Sequence, residues 1–275
     1  MTTPASTTTS TGADLTRQLT VAASALAAVV GSFVGSGAAG GTPIQDAAGG
    51  ALAADATLVA PGGGAFAIWT LIYLGLVAYA VWQFLPAQRT ASRHRRLGYP
   101  IAASLLLNAA WILSIQFDLL WLSVPVIVLL LIVLIVAFRV CRTSPPTSNL
   151  DAVVTDGTVG LYLGWVCVAT VANITAALVA AGFDGWGIPP EAWSVAVVSL
   201  AGIVGIALAI WDHGRIAPTL SLGWGLAWVA VARLSDAPES MATGIAAIIA
   251  VVALTIATVW ARTADHGRAS ATSRA

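Results

Sequence analysis

The stretch AFAIWTLIYLGLVAYAVW, residues 65–82, is apolar along nearly its whole length and carries five aromatic side chains. A run of roughly 20 predominantly apolar residues is long enough to cross the hydrocarbon core of a bilayer as a helix. Phe66, Trp69 and Tyr73 are spaced three and four residues apart, which places them on one face of that helix. This spacing is compatible with helix packing and with the wall of a ligand pocket.

The composition of the whole chain indicates a membrane protein. Of its 275 residues, 58% are hydrophobic and only 9% are charged, whereas soluble domains have about 25% charged residues. The net charge is zero, so nothing suggests a nucleic-acid partner. The two cysteines lack metal-ligand spacing, and we expect them to be structural thiols and expect no metal site.

The hydrophobic pattern predicts an all-α fold, a polytopic membrane helix bundle of about eight transmembrane helices. The first span could instead be a signal peptide, because Arg17 precedes it and small residues follow it. Its apolar run is long for a signal peptide, so we interpret it as a retained helix. The predicted spans cover residues 18–38, 64–85, 99–117, 121–141, 154–181, 192–211, 217–234 and 241–261.

Arginine distribution supports this count and predicts an orientation. With eight spans, eleven of the twelve basic residues fall on one side of the membrane. Since basic residues concentrate in cytoplasmic loops, we expect both termini in the cytoplasm of a multi-pass protein of a bacterial cell membrane. The exception is Arg233 at the end of the seventh span, whose side chain we expect to extend outward.

Ionisable residues inside the spans are rare, which argues against acid–base catalysis or ion coupling. Asp156 lies near the cytoplasmic start of the fifth span, and we favour an interfacial or capping role over a buried functional carboxylate. The three histidines fall in predicted cytoplasmic segments. We therefore predict no catalytic residue, no cofactor and no enzyme activity.

Neutral polar and aromatic residues are more informative. Asn108 and Asn173 lie well inside spans three and five, where an amide needs hydrogen-bond partners. Trp165, Ala169 and Asn173 repeat every four residues, and Asn108 precedes Trp111 by three. Each pattern is compatible with helix-to-helix hydrogen bonding, worth about 1 kcal/mol. Together they favour an apolar pocket with a few polar contacts.

These motifs resemble the translocator protein/tryptophan-rich sensory protein family (TspO/MBR). Residues 66–82 resemble its second-helix signature, LLLNAAW (residues 105–111) its third-helix motif, and LYLGWVCVATVAN (161–173) its fifth-helix motif. The resemblance covers residues 18–181 and implies five transmembrane helices around a cavity for porphyrins or, in some members, sterols. The implied ligand-binding residues are Phe66, Trp69, Tyr73, Asn108, Trp111, Tyr162, Trp165, Ala169 and Asn173.

The sequence departs from the family in two places. The family's first loop carries a Trp- and Pro-rich lid, whereas residues 41–64 here contain no aromatic residue. Three further spans follow the five. We therefore predict a disordered tail (1–17), a five-helix domain (18–182), a three-helix extension (183–262) and a cytoplasmic tail (263–275).

The resulting hypothesis is a non-catalytic membrane protein that binds a flat hydrophobic molecule, such as a tetrapyrrole or an isoprenoid, for sensing, regulation or transport. The expected partners are that small molecule, membrane lipids and a second copy in a homodimer. Two alternatives are a small-molecule permease or exporter, and an enzyme that modifies a tetrapyrrole or lipid.

Overall fold

The computed structural model describes residues 11–35, 37 and 42–272, with side chains described up to residue 265. Within these ranges the chain forms eight long helices and no strand. They are α1 (Gly12–Gly35), α2 (Gly63–Trp82), α3 (Ser92–Gln116), α4 (Leu120–Thr143), α5 (Asn149–Ala180), α6 (Pro190–Trp211), α7 (Ile216–Ser235) and α8 (Met241–Thr272).

The prediction of an all-α membrane bundle is confirmed. Seven of the eight described helices are long and apolar enough to cross a membrane, and α7 is the one that is not among them. Two tryptophans and Arg233 lower the hydropathy of α7, although the helix is 20 residues long. Its neighbours in the bundle, α5 and α8, both pack extensively against it.

The helix boundaries differ most from the predicted ones at the N-termini of α1 and α3 and at the C-terminus of α8, which ends at Thr272, inside the predicted tail 263–275. Helix α1 begins at Gly12, inside the segment 1–17 predicted to be disordered, while residues 1–10 lie outside the described part. Helix α3 begins at Ser92, seven residues before the predicted span. Arg93 and His94 therefore lie in its first turn and are buried, instead of lying in the connection between the second and third spans.

Two apolar cores meet at α5. One core is built from α1 to α5, and Val166 belongs to it; the other is built from α5 to α8, and Val168 belongs to it. Helix α3 packs between α1 and α4, and α8 packs against α6 and α7. Because α5 contributes to both cores, it joins the first five helices to the last three. The division at residue 182 stays a prediction.

Close packing of α5 on α7 depends on small residues. A Cβ atom added to Gly164 would lie 2.2 Å from the carbonyl oxygen of Pro218 and 2.3 Å from Ser221 Oγ. One added to Gly225 would lie 2.9 Å from Val168. The two backbones approach closely because these positions lack a side chain.

Charged residues pair with one another at the end of the bundle where α3, α5 and α7 begin. Arg93 donates to Asp156 and to the carbonyl oxygen of Ser144, and Arg215 Nη1 lies 3.5 Å from Asp156. Asp156 is thus the partner of two arginines and not a helix cap. His94 is fully buried, with Nε2 4.0 Å from Asp151.

Candidate functional site: an aromatic cavity under the first loop

A narrow cavity lies between α2, α3, α4 and α5 and is covered by the loop between α1 and α2. Its volume is about 40 Å³, which is room for a few water molecules. The helices contribute Phe66, Trp69, Asn108, Trp111, Ile127, Leu130, Trp165, Val166, Ala169, Ala172, Asn173 and Ala176. The loop contributes Ala51, Leu52, Thr57, Ala60 and Pro61.

Seven of the nine residues predicted from the sequence line this cavity. They are Phe66, Trp69, Asn108, Trp111, Trp165, Ala169 and Asn173. The other two, Tyr73 and Tyr162, do not line the cavity, but their rings contact the ring of Trp69. The structure therefore brings the predicted residues together from three helices, although it does not test whether they bind a ligand.

Trp69 is the centre of an aromatic cluster. Its ring stacks on Tyr73 with centroids 5.4 Å apart and meets Tyr162 and Trp165 edge-on at 5.8 and 6.2 Å. Phe66 meets Trp165 edge-on at 5.9 Å. These separations are in the favourable range for aromatic pairs. The Trp69 indole is consequently held in place from several sides while it lines the cavity.

The two predicted amides have different surroundings. Asn173 accepts a hydrogen bond from Trp111 Nε1 at 2.9 Å and donates to Ser123 Oγ at 2.8 Å. It thereby connects α5 to α3 and α4. Asn108 donates to the hydroxyl of Tyr73 at 2.6 Å, and its Oδ1 has no partner within the described residues.

A second polar atom beside the cavity is also unsatisfied. Trp165 is 2% exposed, and its Nε1 has no hydrogen-bond partner in the described part of the chain. Leaving a buried donor or acceptor unpaired costs about 1–3 kcal/mol. Thr57, which also lines the cavity, has an unpartnered Oγ1 as well, so three of the lining residues carry a polar atom without a partner among the described residues. Among the described residues that line it none is charged, so the site suits an uncharged group.

The loop over the cavity, residues 42–62, is here called the capping loop. It closes the site with aliphatic atoms of Leu52, Ala60 and Pro61 instead of aromatic rings. Ala47 is buried in the first core and Val59 in the second. No periodic pattern in the sequence indicates these contacts, because the loop's one regular element in the described residues is the three-residue 3-10 helix Ala48–Gly50.

Arg233 binds the capping loop, and the prediction that it extends outward is wrong. It is 1% exposed, and its guanidinium donates to the carbonyl oxygens of Ala54 at 2.7 Å, Thr57 at 3.2 Å and Pro238 at 2.9 Å. The loop carbonyls hold the guanidinium inside the protein, where it makes three hydrogen bonds. The signal that could have identified it is that Arg233 is the one basic residue on its side of the predicted membrane.

The fold and the cavity define a polytopic helical membrane protein with an internal aromatic site. The profile of the TSPO-like protein family matches residues 21–260, which include the last three helices as well as the first five. The chain belongs to the TSPO-like protein family. Neither the curated proteins nor the solved structures include a match to it.

Proposed function

We propose that the chain binds a flat, largely apolar molecule between α2, α3 and α5, as a sensor, regulator or carrier in a bacterial membrane with both termini cytoplasmic. The observation that carries this proposal is the lining of one cavity by Phe66, Trp69, Trp111 and Trp165, with unpartnered polar atoms on the lining residues Thr57, Asn108 and Trp165. Flat aromatic surfaces favour a tetrapyrrole or an isoprenoid-like molecule.

The polar atoms restrict the class of ligand. Asn108 Oδ1 can accept a hydrogen bond from a ligand N–H or O–H, and Trp165 Nε1 can donate one. A pyrrole N–H or a neutral hydroxyl meets the first requirement. No cation is available inside the lining among the described residues, so any carboxylate of the ligand has to remain outside it.

The ligand can enter only if the cavity enlarges. A volume of about 40 Å³ is far below the 300–1,000 Å³ of ordinary small-molecule sites. The helical walls are fixed by the aromatic cluster and by the hydrogen bonds of Asn173. The capping loop is the wall that can move without breaking a helix, so binding requires the loop to open.

Tryptophan fluorescence of the full chain in lipid nanodiscs, titrated with protoporphyrin IX, tests the proposal. Saturable quenching is expected. Replacing both Trp69 and Trp165 by Phe is expected to raise the dissociation constant about 5- to 10-fold, because the smaller rings lose part of aromatic contacts worth about 0.5–1.5 kcal/mol each.

The matched control replaces two exposed tryptophans, Trp121 and Trp260, by Phe. It removes the same number of indoles and leaves the cavity intact, so its dissociation constant is expected to equal that of the wild type. Quenching that does not saturate would show that the probe partitions into the lipid and would refute the site. The same dissociation constant in the two double variants would refute it as well.

A further inference from the structure

We propose that the three C-terminal helices control access to the cavity, with Arg233 of α7 as the residue that holds the capping loop closed. This inference rests on the proposed function and assigns its regulation. It concerns a positioning residue, because Arg233 does not line the cavity and acts on a ligand only through the loop.

The guanidinium of Arg233 connects separate turns of the loop. Its Nη2 donates to Ala54 and its Nη1 to Thr57. Hydrogen bonds from a charged donor are stronger than those between two neutral groups. Thr57 itself lines the cavity, so the residue that Arg233 holds is part of the wall that must move.

Two tryptophans of α7 strengthen the same attachment where the loop joins α2. The carbonyl oxygen of Trp228 accepts from the amide of Gly62 at 3.1 Å, and Trp224 Nε1 donates to the carbonyl oxygen of Ala65 at 2.9 Å. A Cβ atom added to Gly64 would lie 2.2 Å from the ring of Trp228. This close approach is possible only because residue 64 is glycine.

Among the described residues, the other side-chain hydrogen bond from a helix to the loop is that of Gln116 Nε2 to the carbonyl oxygen of Thr42 at 2.8 Å, outside residues 51–61. The loop's own amides form short turns, such as Ala56 to Ala53 at 3.1 Å and Ala60 to Thr57 at 3.2 Å. Such turns add little stability to one position of the loop against another. Contacts with α7 therefore decide whether the loop lies over the cavity, and the extension sets the fraction of open, binding-competent molecules.

Hydrogen–deuterium exchange of the full chain in nanodiscs tests the inference without any ligand. Replacing Arg233 by Met removes the donors, and exchange of amides in residues 51–61 is expected to accelerate about tenfold or more, while α3 keeps its protection. Replacement by Lys, which retains a charged donor, gives an intermediate rate. Replacement of the exposed Arg139 on α4 by Met serves as the matched control and leaves the loop unchanged.

Stopped-flow binding of protoporphyrin IX supplies the second measurement. The association rate constant is expected to rise about tenfold in Arg233→Met, because the open fraction limits binding, with partial return in Arg233→Lys. If the wild-type chain does not bind the probe, the proposed function is refuted. In that case hydrogen exchange of residues 51–61 still tests whether Arg233 holds the loop. Normal binding with unchanged exchange and association in Arg233→Met overturns the inference.

A second pair of variants covers the case in which Arg233→Met loses protection in every helix. Gly64→Ala places a methyl group against Trp228 while Arg233 remains, and Gly63→Ala adds one where the nearest atom is 3.9 Å away. Faster exchange of residues 51–61 in the first variant and not in the second supports attachment to α7. Equal loop exchange in both overturns it.

Discussion

Single residues divide into those that hold the helices together and those that leave a group free beside the cavity. Both ends of the Asn173 amide form hydrogen bonds: the oxygen accepts from Trp111 on α3, and the nitrogen donates to Ser123 on α4. Only the nitrogen of the Asn108 amide forms a hydrogen bond within the described residues, to Tyr73 on α2. Sequence alone treats the two as equivalent, since both are amides inside apolar spans. Their hydrogen-bond partners give them different expected roles.

Substitution of the two amides by Ala separates these roles. Asn173→Ala leaves the indole N–H of Trp111 buried without a partner, so we expect it to lower the free energy of unfolding by about 1–3 kcal/mol. Asn108→Ala removes one hydrogen bond and is expected to cost about 0.6 kcal/mol, typical within membranes. Thermal unfolding in one detergent measures both, and equal losses would contradict the assignment.

Asp212, in the turn between α6 and α7, gives the stability a pH dependence. It is 2% exposed, and burial raises the pKa of its carboxyl to about 6, although the amide of Arg215 donates to Oδ1 at 3.0 Å. An unfolded Asp titrates near pH 3.9. The folded state therefore holds the proton more tightly, and this group's stabilising contribution falls as pH rises from about 4 to about 6.

The variant Asp212→Asn cannot titrate and isolates that contribution. We expect the difference in unfolding midpoint between wild type and variant to change between pH 4 and pH 6 and to level off above pH 6.5 or so. Chemical unfolding across this range measures it. A difference that is constant with pH would show that the carboxyl titrates normally.

Among the helices, α5 and α7 show how the family's motif residues also support the extension. One face of α5 places Trp165 and Asn173 beside the cavity, and the opposite side of the helix meets α7 through Gly160 and Gly164. Trp224 and Trp228 of α7 do not line the cavity and instead attach the start of α2. The same residue types therefore have different roles on the two helices.

Because α5 and α7 pack closely, we expect one added methyl group to destabilise the protein at Gly164 but not at Gly223. Gly164→Ala forces the Cβ atom against the backbone of Pro218, and we expect a loss of about 1–3 kcal/mol from overpacking. Gly223→Ala on α7 is the matched control, because nothing lies within 4 Å of its added methyl group. A Gly→Ala change in an open helical position is neutral or stabilises by up to about 1 kcal/mol.

Thermal stability and loop exchange of the two glycine variants check this prediction. Gly164→Ala displaces α7, so it is also expected to accelerate exchange in residues 51–61. Equal stability of Gly164→Ala and Gly223→Ala would contradict the close packing of α5 against α7 at residue 164.

At the scale of the whole molecule, the sequence predicts what depends on local pattern. Long apolar runs locate the helices, and spacing along α2, α3 and α5 identifies seven of the lining residues. The capping loop contributes five more, which no spacing could reveal. Arg233 and Ala54 are 179 residues apart in the chain, so their contact exists only once the helices have assembled.

The extension and the cavity thus form one system. The family profile extends to residue 260, in agreement with a bundle in which α5 belongs to both cores. The cavity of about 40 Å³ is smaller than the proposed ligand. Under the proposed function, ligand binding requires two linked changes, displacement of residues 51–61 and loss of their contacts with α7.

The most direct test is an experimental structure of the full chain in nanodiscs with protoporphyrin IX added. We expect density for the macrocycle in the cavity against Trp69 and Trp165, with Asn108 Oδ1 in hydrogen-bond contact and residues 51–61 displaced from Arg233. Density only on the lipid-facing surface, with the capping loop still closed over an unchanged cavity, would contradict it.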